Sequence, residues 1–174
     1  MTAKIKKVDM QITGFIVLAL VLIYIKRKAL YKKMRELTGN LDKDVFLWRS
    51  LIKQEARANE LSPTLVAGLI ATESAGDPVA IGTSGEVGLM QLMKAAVQDT
   101  GNTYNAEDLK NPAVNIRIGT AFLALQIKRM HGSIFDGLRA YNGGAAGATR
   151  KPKLSVGYAN KVIKFKKHFE EMGF

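Results

Sequence analysis

Two hydrophobic patterns divide the chain. Residues 10–25, MQITGFIVLALVLIYI, form an apolar run that has no polar face from Phe15 to Ile25. From residue 41 onward the apolar positions recur instead at helical spacing. In DKDVFLWRSLIKQEARANE, the residues Val45, Trp48, Leu51 and Ile52 fall on one helical face. SPTLVAGLIATESAG predicts a helix with Ser62 as N-cap, Pro63 at the first helical position and Gly76 as its stop. NPAVNIRIGTAFLALQIKRMHG repeats that punctuation, with Asn111 as cap, Pro112 next and Gly132 after the end. Shorter helices are expected over 92–100, 133–141 and 154–171. The last of these contains KVIKFKKHFEEMGF, whose Val162, Ile163, Phe165 and Phe169 mark it as a packing helix with a basic outer face. Strand-like alternation is nearly absent; only the glycine-rich 81–91, with Ile81, Val87 and Leu89, predicts a small hairpin. The pattern therefore predicts a mainly α domain over 41–174, with no internal repeat.

The apolar run is read as a membrane anchor. As a helix, 16 residues span about 24 Å, somewhat short of a hydrocarbon core of roughly 30 Å. Snorkelling lysines and Tyr24 at the boundary make up the difference. A core helix would show a polar face, and a cleaved signal peptide would end at a small-x-small site; this run ends in Tyr-Ile-Lys-Arg-Lys. The expected organisation is a basic tail over 1–9, one transmembrane helix over 10–25, a basic juxtamembrane linker over 26–40 and the folded domain over 41–174.

Charge supports this division. Residues 1–40 hold nine Lys/Arg against two acidic residues and residues 41–174 hold seventeen against thirteen, so most of the net +11 brackets the apolar run. That distribution points to a membrane rather than nucleic acid, since no basic stretch is interleaved with exposed aromatics. The six basic residues between Lys26 and Arg35 outnumber Lys4, Lys6 and Lys7, so the positive-inside rule places the carboxyl side in the cytoplasm. The absence of cysteine excludes disulfide scaffolds, thiolate zinc sites and cysteine nucleophiles. His131 and His168 lack companions at ligand spacing, so neither a metal nor a cofactor is expected.

One position breaks the hydrophobic pattern chemically. LVAGLIATES carries a run of small and apolar residues into Glu73, in the last turn of the helix predicted from Pro63. Apolar surroundings and the negative end of a helix dipole both disfavour a carboxylate, which makes Glu73 either a general acid or an ordinary surface glutamate. Asp77 reads as a turn residue and Asp136 as a solvated one. GEVGLMQLM surrounds a bend with Gly85 and Gly88 and presents Gln91, while RAYNGGAAG predicts a sharp helix stop that leaves Tyr141 and Asn142 at a rim.

In this order and at these separations, the motifs resemble the soluble lytic transglycosylases, the goose-lysozyme-like enzymes that cleave bacterial cell-wall glycan. The resemblance runs from about Leu61 to Val162. It consists of ATES with Glu73, DP at 77–78, GLMQLM with Gln91, NP, NI and G at 111, 115 and 119, AYNGG at 140–144 and GYANKV at 157–162. It implies a lysozyme-like helical fold, peptidoglycan glycan strands as partner, and Glu73 as sole catalytic acid and base. Glu73 would protonate the oxygen between N-acetylmuramic acid and N-acetylglucosamine, and then deprotonate the muramic C6 hydroxyl to close a 1,6-anhydro ring. Gln91, Met93, Tyr141, Asn142 and Tyr158 fall on groove positions, with Tyr141 expected to hydrogen-bond Glu73 or the sugar.

Three positions depart from the family pattern. Gly82 stands where a groove serine is usual, leaving Thr83 or Ser84 to replace it; Glu86 stands where a small residue is usual; and Lys94 replaces a proline. Ordinary glycosidases use two carboxylates, so Glu86 opens the alternative of a hydrolase. A further alternative is a glycan-binding membrane component without catalysis. Cell-wall glycan lies outside the cytoplasmic membrane, which conflicts with the charge rule and leaves two locations: a bacterial inner membrane facing the periplasm, or a bacteriophage virion membrane.

Overall fold

The computed structural model describes residues 41–150 and 152–174, so the expected basic tail, membrane helix and linker lie outside the described residues. Among those described, no helix is long and apolar enough to cross a membrane. The elements are α1 (Leu41–Phe46), α2 (Arg49–Ala58), α3 (Pro63–Glu73), α4 (Lys94–Asp99), a 3-10 turn (Asp108–Lys110), α5 (Pro112–Arg129), α6 (Ile134–Arg150) and α7 (Pro152–Glu171).

The hydrophobic uniformity of PTLVAGLIATE has a direct structural cause. Residues Thr64 to Ala71 of α3 are all buried, because α3 is the central helix and has neighbours on every side. It packs along α7, with α1 and α2 also against it; α7 packs on α6, and α6 on α5. Gly68 sets the α3–α7 approach: a Cβ there would lie 2.7 Å from both Lys166 N and Val162 O. Two helix backbones meet at that point, and only a residue without a side chain fits.

Local signals and outcome differ in three places. The helical pattern of 42–60 is two helices, broken at Leu47–Trp48, where the Trp48 indole N–H donates to the Gly76 carbonyl at 3.0 Å. Tying the indole to the turn after α3 redirects the chain. The hairpin expected over 81–91 is an irregular loop, with isolated antiparallel bridges Ile81–Val87 and Val87–Leu92. The stop expected at Asn-Gly-Gly is present at Gly144, at φ 65° and ψ 171°, but the chain re-enters a helix at once, so α6 is two helical segments that meet at a kink and run on to Arg150. Both predicted N-cap positions are occupied, by Asn111 and Ser62. Asn111 Oδ1 accepts from Ala113 N at 3.0 Å, whereas the Ser62 hydroxyl pairs with Thr64 Oγ1 at 2.7 Å.

The irregular loop is held by a side chain from α5. Asn115 is fully buried; its Oδ1 accepts from Met90 N at 2.8 Å, and its Nδ2 donates to Val87 O at 2.9 Å and Leu109 O at 2.8 Å. Gly88, at φ 81°, makes room for it, since a Cβ would sit 2.3 Å from Asn115 Nδ2. Ser74 secures the same loop from α3, its hydroxyl donating to Leu89 O at 2.8 Å. At the far end of α7, Phe169 packs with Phe46 and Phe174, and Arg49 lies over Phe46 and Phe174 while donating to Gly173 O. Val162 and Phe169 are fully buried and Phe165 partly so, as expected of a packing helix, whereas Ile163 is 38% exposed and lies outside the packed face.

Candidate active site

Glu73 is the last residue of α3, half-buried at the wall of a cleft of about 790 Å³. Its carboxyl is raised from 4.5 to about 7, chiefly by burial and further by the negative charge of Glu86; the Tyr158 hydroxyl and the Lys161 charge pull it back down. A group balanced there holds a proton near neutral pH and can still release it.

Two tyrosines converge on this region with different tasks. The Tyr158 hydroxyl on α7 donates to Glu73 Oε1. The Tyr141 hydroxyl on α6 donates instead to Met90 O at 2.8 Å. The hydrogen bond to Glu73 expected of Tyr141 is therefore made by Tyr158, because Tyr141 is committed to holding the GLMQLM loop. Burial raises both phenols well above their ordinary range, so both remain neutral donors.

The loop places its groups unevenly. Glu73, Thr83, Gln91, Met93, Tyr141 and Asn142 line the cleft together with Glu86; Ser84 does not, and Tyr158 reaches Glu73 without forming part of the wall. Gln91, at φ 47°, donates both amide hydrogens within its own loop, to Gly88 O at 2.9 Å and Ala80 O at 3.2 Å. Its carboxamide oxygen is thus the atom left for a ligand. Met93 is 45% exposed, as befits a cleft wall rather than core.

Gly82 and Glu86 explain each other. A Cβ on Gly82 would lie 2.3 Å from Glu86 Oε2 and 2.8 Å from Gln91 Oε1. The Glu86 carboxylate occupies the space a side chain at 82 would take, and it accepts from Ser84 N at 2.9 Å. The other carboxylates that drew attention in the sequence have local tasks. Asp77 Oδ1 accepts from Val79 N at 3.0 Å, a turn contact as expected. Asp136 is not simply solvated: it pairs with Arg139 at 2.8 Å and accepts from the Ser133 hydroxyl. The Ser133 hydroxyl and Arg139 hold its carboxyl below the usual range. Among the described residues, no group of three or more His, Asp and Glu is arranged to hold a metal ion.

This arrangement matches a known family. The model of the Transglycosylase SLT domain matches residues 50–163. The chain belongs to the SLT transglycosylase family. It is 39% identical over 117 residues to a transglycosylase of Enterobacteria phage PRD1, an alignment covering 67% of this chain and 42% of that protein. It is 35% identical over 85 residues to an endo-type membrane-bound lytic murein transglycosylase A of Cronobacter sakazakii, covering 45% of this chain and 42% of that one. The matched region thus spans under half the length of either relative. Among solved structures, the 70 kDa soluble lytic transglycosylase of Escherichia coli superposes with a TM-score of 0.64 at 19% identity, over 72% of this chain and 24% of that one. Lytic transglycosylase Slt of Pseudomonas aeruginosa superposes with 0.62 at 23% identity, over 68% and 23%. The mainly helical, lysozyme-like fold of the SLT family is therefore the fold of the matched part of this chain.

Part of this SLT cleft escapes sequence reading. Phe122, Gln126 and Arg129 of α5, with Ala96 and Asp99 of α4, also line it. The available signal was Gln126, a polar residue one helical turn after Phe122.

Proposed function

We propose that this SLT-family chain is a peptidoglycan lytic transglycosylase that cuts the bond between N-acetylmuramic acid and N-acetylglucosamine, with Glu73 as acid and then base. The observation that carries the reading is Glu73 itself, a carboxyl group raised to about 7 on a cleft wall and held by Tyr158. Protonated, it delivers a proton to the bridging oxygen. The resulting carboxylate then removes the proton of the muramic C6 hydroxyl, whose oxygen attacks the anomeric carbon and closes the 1,6-anhydro ring. Each proton is returned and no water is consumed, so one carboxyl group suffices where hydrolytic glycosidases use two. Tyr158 fixes the carboxyl's orientation, while Thr83, Gln91, Met93, Tyr141 and Asn142 form the surrounding wall for the sugar strand.

The apolar run 10–25 supports membrane attachment, and the relatives, one from a phage and one named as membrane-bound, fit both locations raised above. A virion membrane is preferred, because the charge bracket favours a cytoplasmic carboxyl side until infection or lysis brings enzyme and wall together. Protease protection of the full-length chain in membranes distinguishes the two orientations.

Glu86 favours one competing reading, since its carboxylate lines the same cleft and acts on Glu73. A hydrolase using it would release reducing muramic ends. Mass analysis of the products from purified murein decides: anhydro ends made by the wild-type chain and lost in Glu73→Gln support the transglycosylase. Reducing ends support the hydrolase, and glycan binding without any cleavage supports a binding component.

A further inference from the structure

The end of the cleft furthest along α5 holds a group that the reaction at Glu73 does not use. Gln126 is 3% exposed, yet among the described residues its side chain has no hydrogen-bond partner. Its amide atoms are not sealed in the core either: among the described residues the fully enclosed side-chain polar atom that lacks a partner is Arg49 Nε, and Gln126 lines the cleft. Buried carboxamides ordinarily find partners within the protein, because an unmet amide forfeits the bonds water would give it. A nearly buried carboxamide left open toward a cleft is a site awaiting a ligand's polar atoms.

The surroundings specify the ligand's chemistry. Phe122, one turn before Gln126, is 9% exposed and packs against Tyr141 with ring centroids 5.1 Å apart; with Ala96 it offers a small apolar surface. At the rim, Arg129 and Asp99 pair at 2.6 Å, so their charges cancel and favour neither an anion nor a cation. A neutral group that presents one acceptor, one donor and a methyl matches this set, and an acetamido substituent is such a group.

We propose that Phe122, Gln126 and Ala96 form an acetamido-reading subsite, in which Gln126 donates from Nε2 to the acetyl carbonyl and accepts at Oε1 from its N–H. The methyl group then lies against Phe122 and Ala96. Phe122, Gln126 and Arg129 occupy about 10 Å of α5. The proposal rests on the glycan reading of the cleft.

The test uses the full-length chain carrying Glu73→Gln, so that nothing is cut, and titrates it calorimetrically with an N-acetylated chitin tetramer and its fully de-N-acetylated counterpart. The parent is expected to prefer the acetylated tetramer. Adding Gln126→Leu is expected to weaken that binding about tenfold and to abolish the preference, with Tm unchanged or raised because an unpaired buried amide is removed. Gln126→Met, closer in shape, gives the same answer should the leucine variant fold poorly. Unchanged affinity and preference in either variant overturns the proposal, as does failure of the parent to bind the acetylated tetramer or a fall in Tm that accounts for the lost binding. Product analysis of the wild-type chain on murein reads the transglycosylase assignment separately, so the two can fail independently.

Discussion

The Tyr158 hydroxyl donates to Glu73 Oε1 across 85 residues of sequence. This contact joins the last helix to the end of the central one and sets both the direction and the proton affinity of the carboxyl group. A donor stabilises the charged carboxylate, so removing it raises the proton affinity further. Tyr158→Phe is expected to move the alkaline limb of the activity profile to higher pH. It should also lower kcat by about ten- to a hundredfold, because the carboxyl loses its fixed orientation. A pH series of kcat/KM on murein checks both effects; an unmoved limb would mean that the hydrogen bond does not exist in solution.

Glu73 also predicts how stability varies with pH. Its carboxyl is raised in the folded chain to about 7 from 4.5, so between those values the native state holds a proton that the unfolded state has released. The resulting stabilisation is fully present below about 4.5 and is lost as pH rises through about 7. Glu73→Gln removes this dependence. At pH 8 it is expected to be more stable than wild type by up to about 3 kcal/mol, and nearly equal to it at pH 4. Urea titrations at the two pH values measure the difference.

The fit of Glu86 over Gly82 predicts a coupled pair. In Gly82→Ser the new side chain must displace the Glu86 carboxylate, which is the flexible end of its chain and yields first. Its bond to Ser84 N is lost, and its charge no longer raises Glu73. The alkaline limb is therefore expected to shift to lower pH in Gly82→Ser and equally in Glu86→Ala, with no further shift in the double variant. Additive shifts would show that the two side chains do not share one space.

Asn115 is predicted to matter for stability more than for chemistry. Asn115→Leu strands Met90 N–H and the Leu109 carbonyl in a buried site and leaves Val87 O with only its bond from Leu92 N, and is expected to cost about 3 kcal/mol or more. Asn115→Asp keeps the acceptor for Met90 N but sets a carboxylate against two carbonyl oxygens, and should be no better tolerated. Denaturant midpoints compare the two with wild type.

Much of the helical framework follows from short-range rules. Asn111–Pro112 opens α5 because cap and ring geometry are local, and the breadth of apolar residues over 64–71 reflects a helix surrounded on all sides. Glu73 stood out for the same reason, as a carboxylate at the end of such a run, but that pattern left an ordinary surface glutamate open until the order of the motifs was taken with it. Its neighbours in the cleft were legible mainly through motif order. Asn115 illustrates the boundary, since its place within NI was visible, while its three bonds into the loop depend on α5 lying beside that loop.

Other features depend on chain segments far apart in sequence. Val45 to Ile52 satisfies helical periodicity, but the indole of Trp48 reaches Gly76 and breaks the helix in two. Local pattern gave no reason to prefer Tyr158 over Tyr141 as the partner of Glu73; the packing of α7 on α3 made that choice, and the carbonyl of Met90 claimed Tyr141. Gln126 reads as one polar residue on a helix until folding buries it beside the cleft. Periodicity, caps and the placement of one carboxylate are written locally because they depend on neighbours within a few residues. Which hydroxyl meets that carboxylate, and which amide is left open to a ligand, depends on how distant helices pack, and that was decided only when the chain folded.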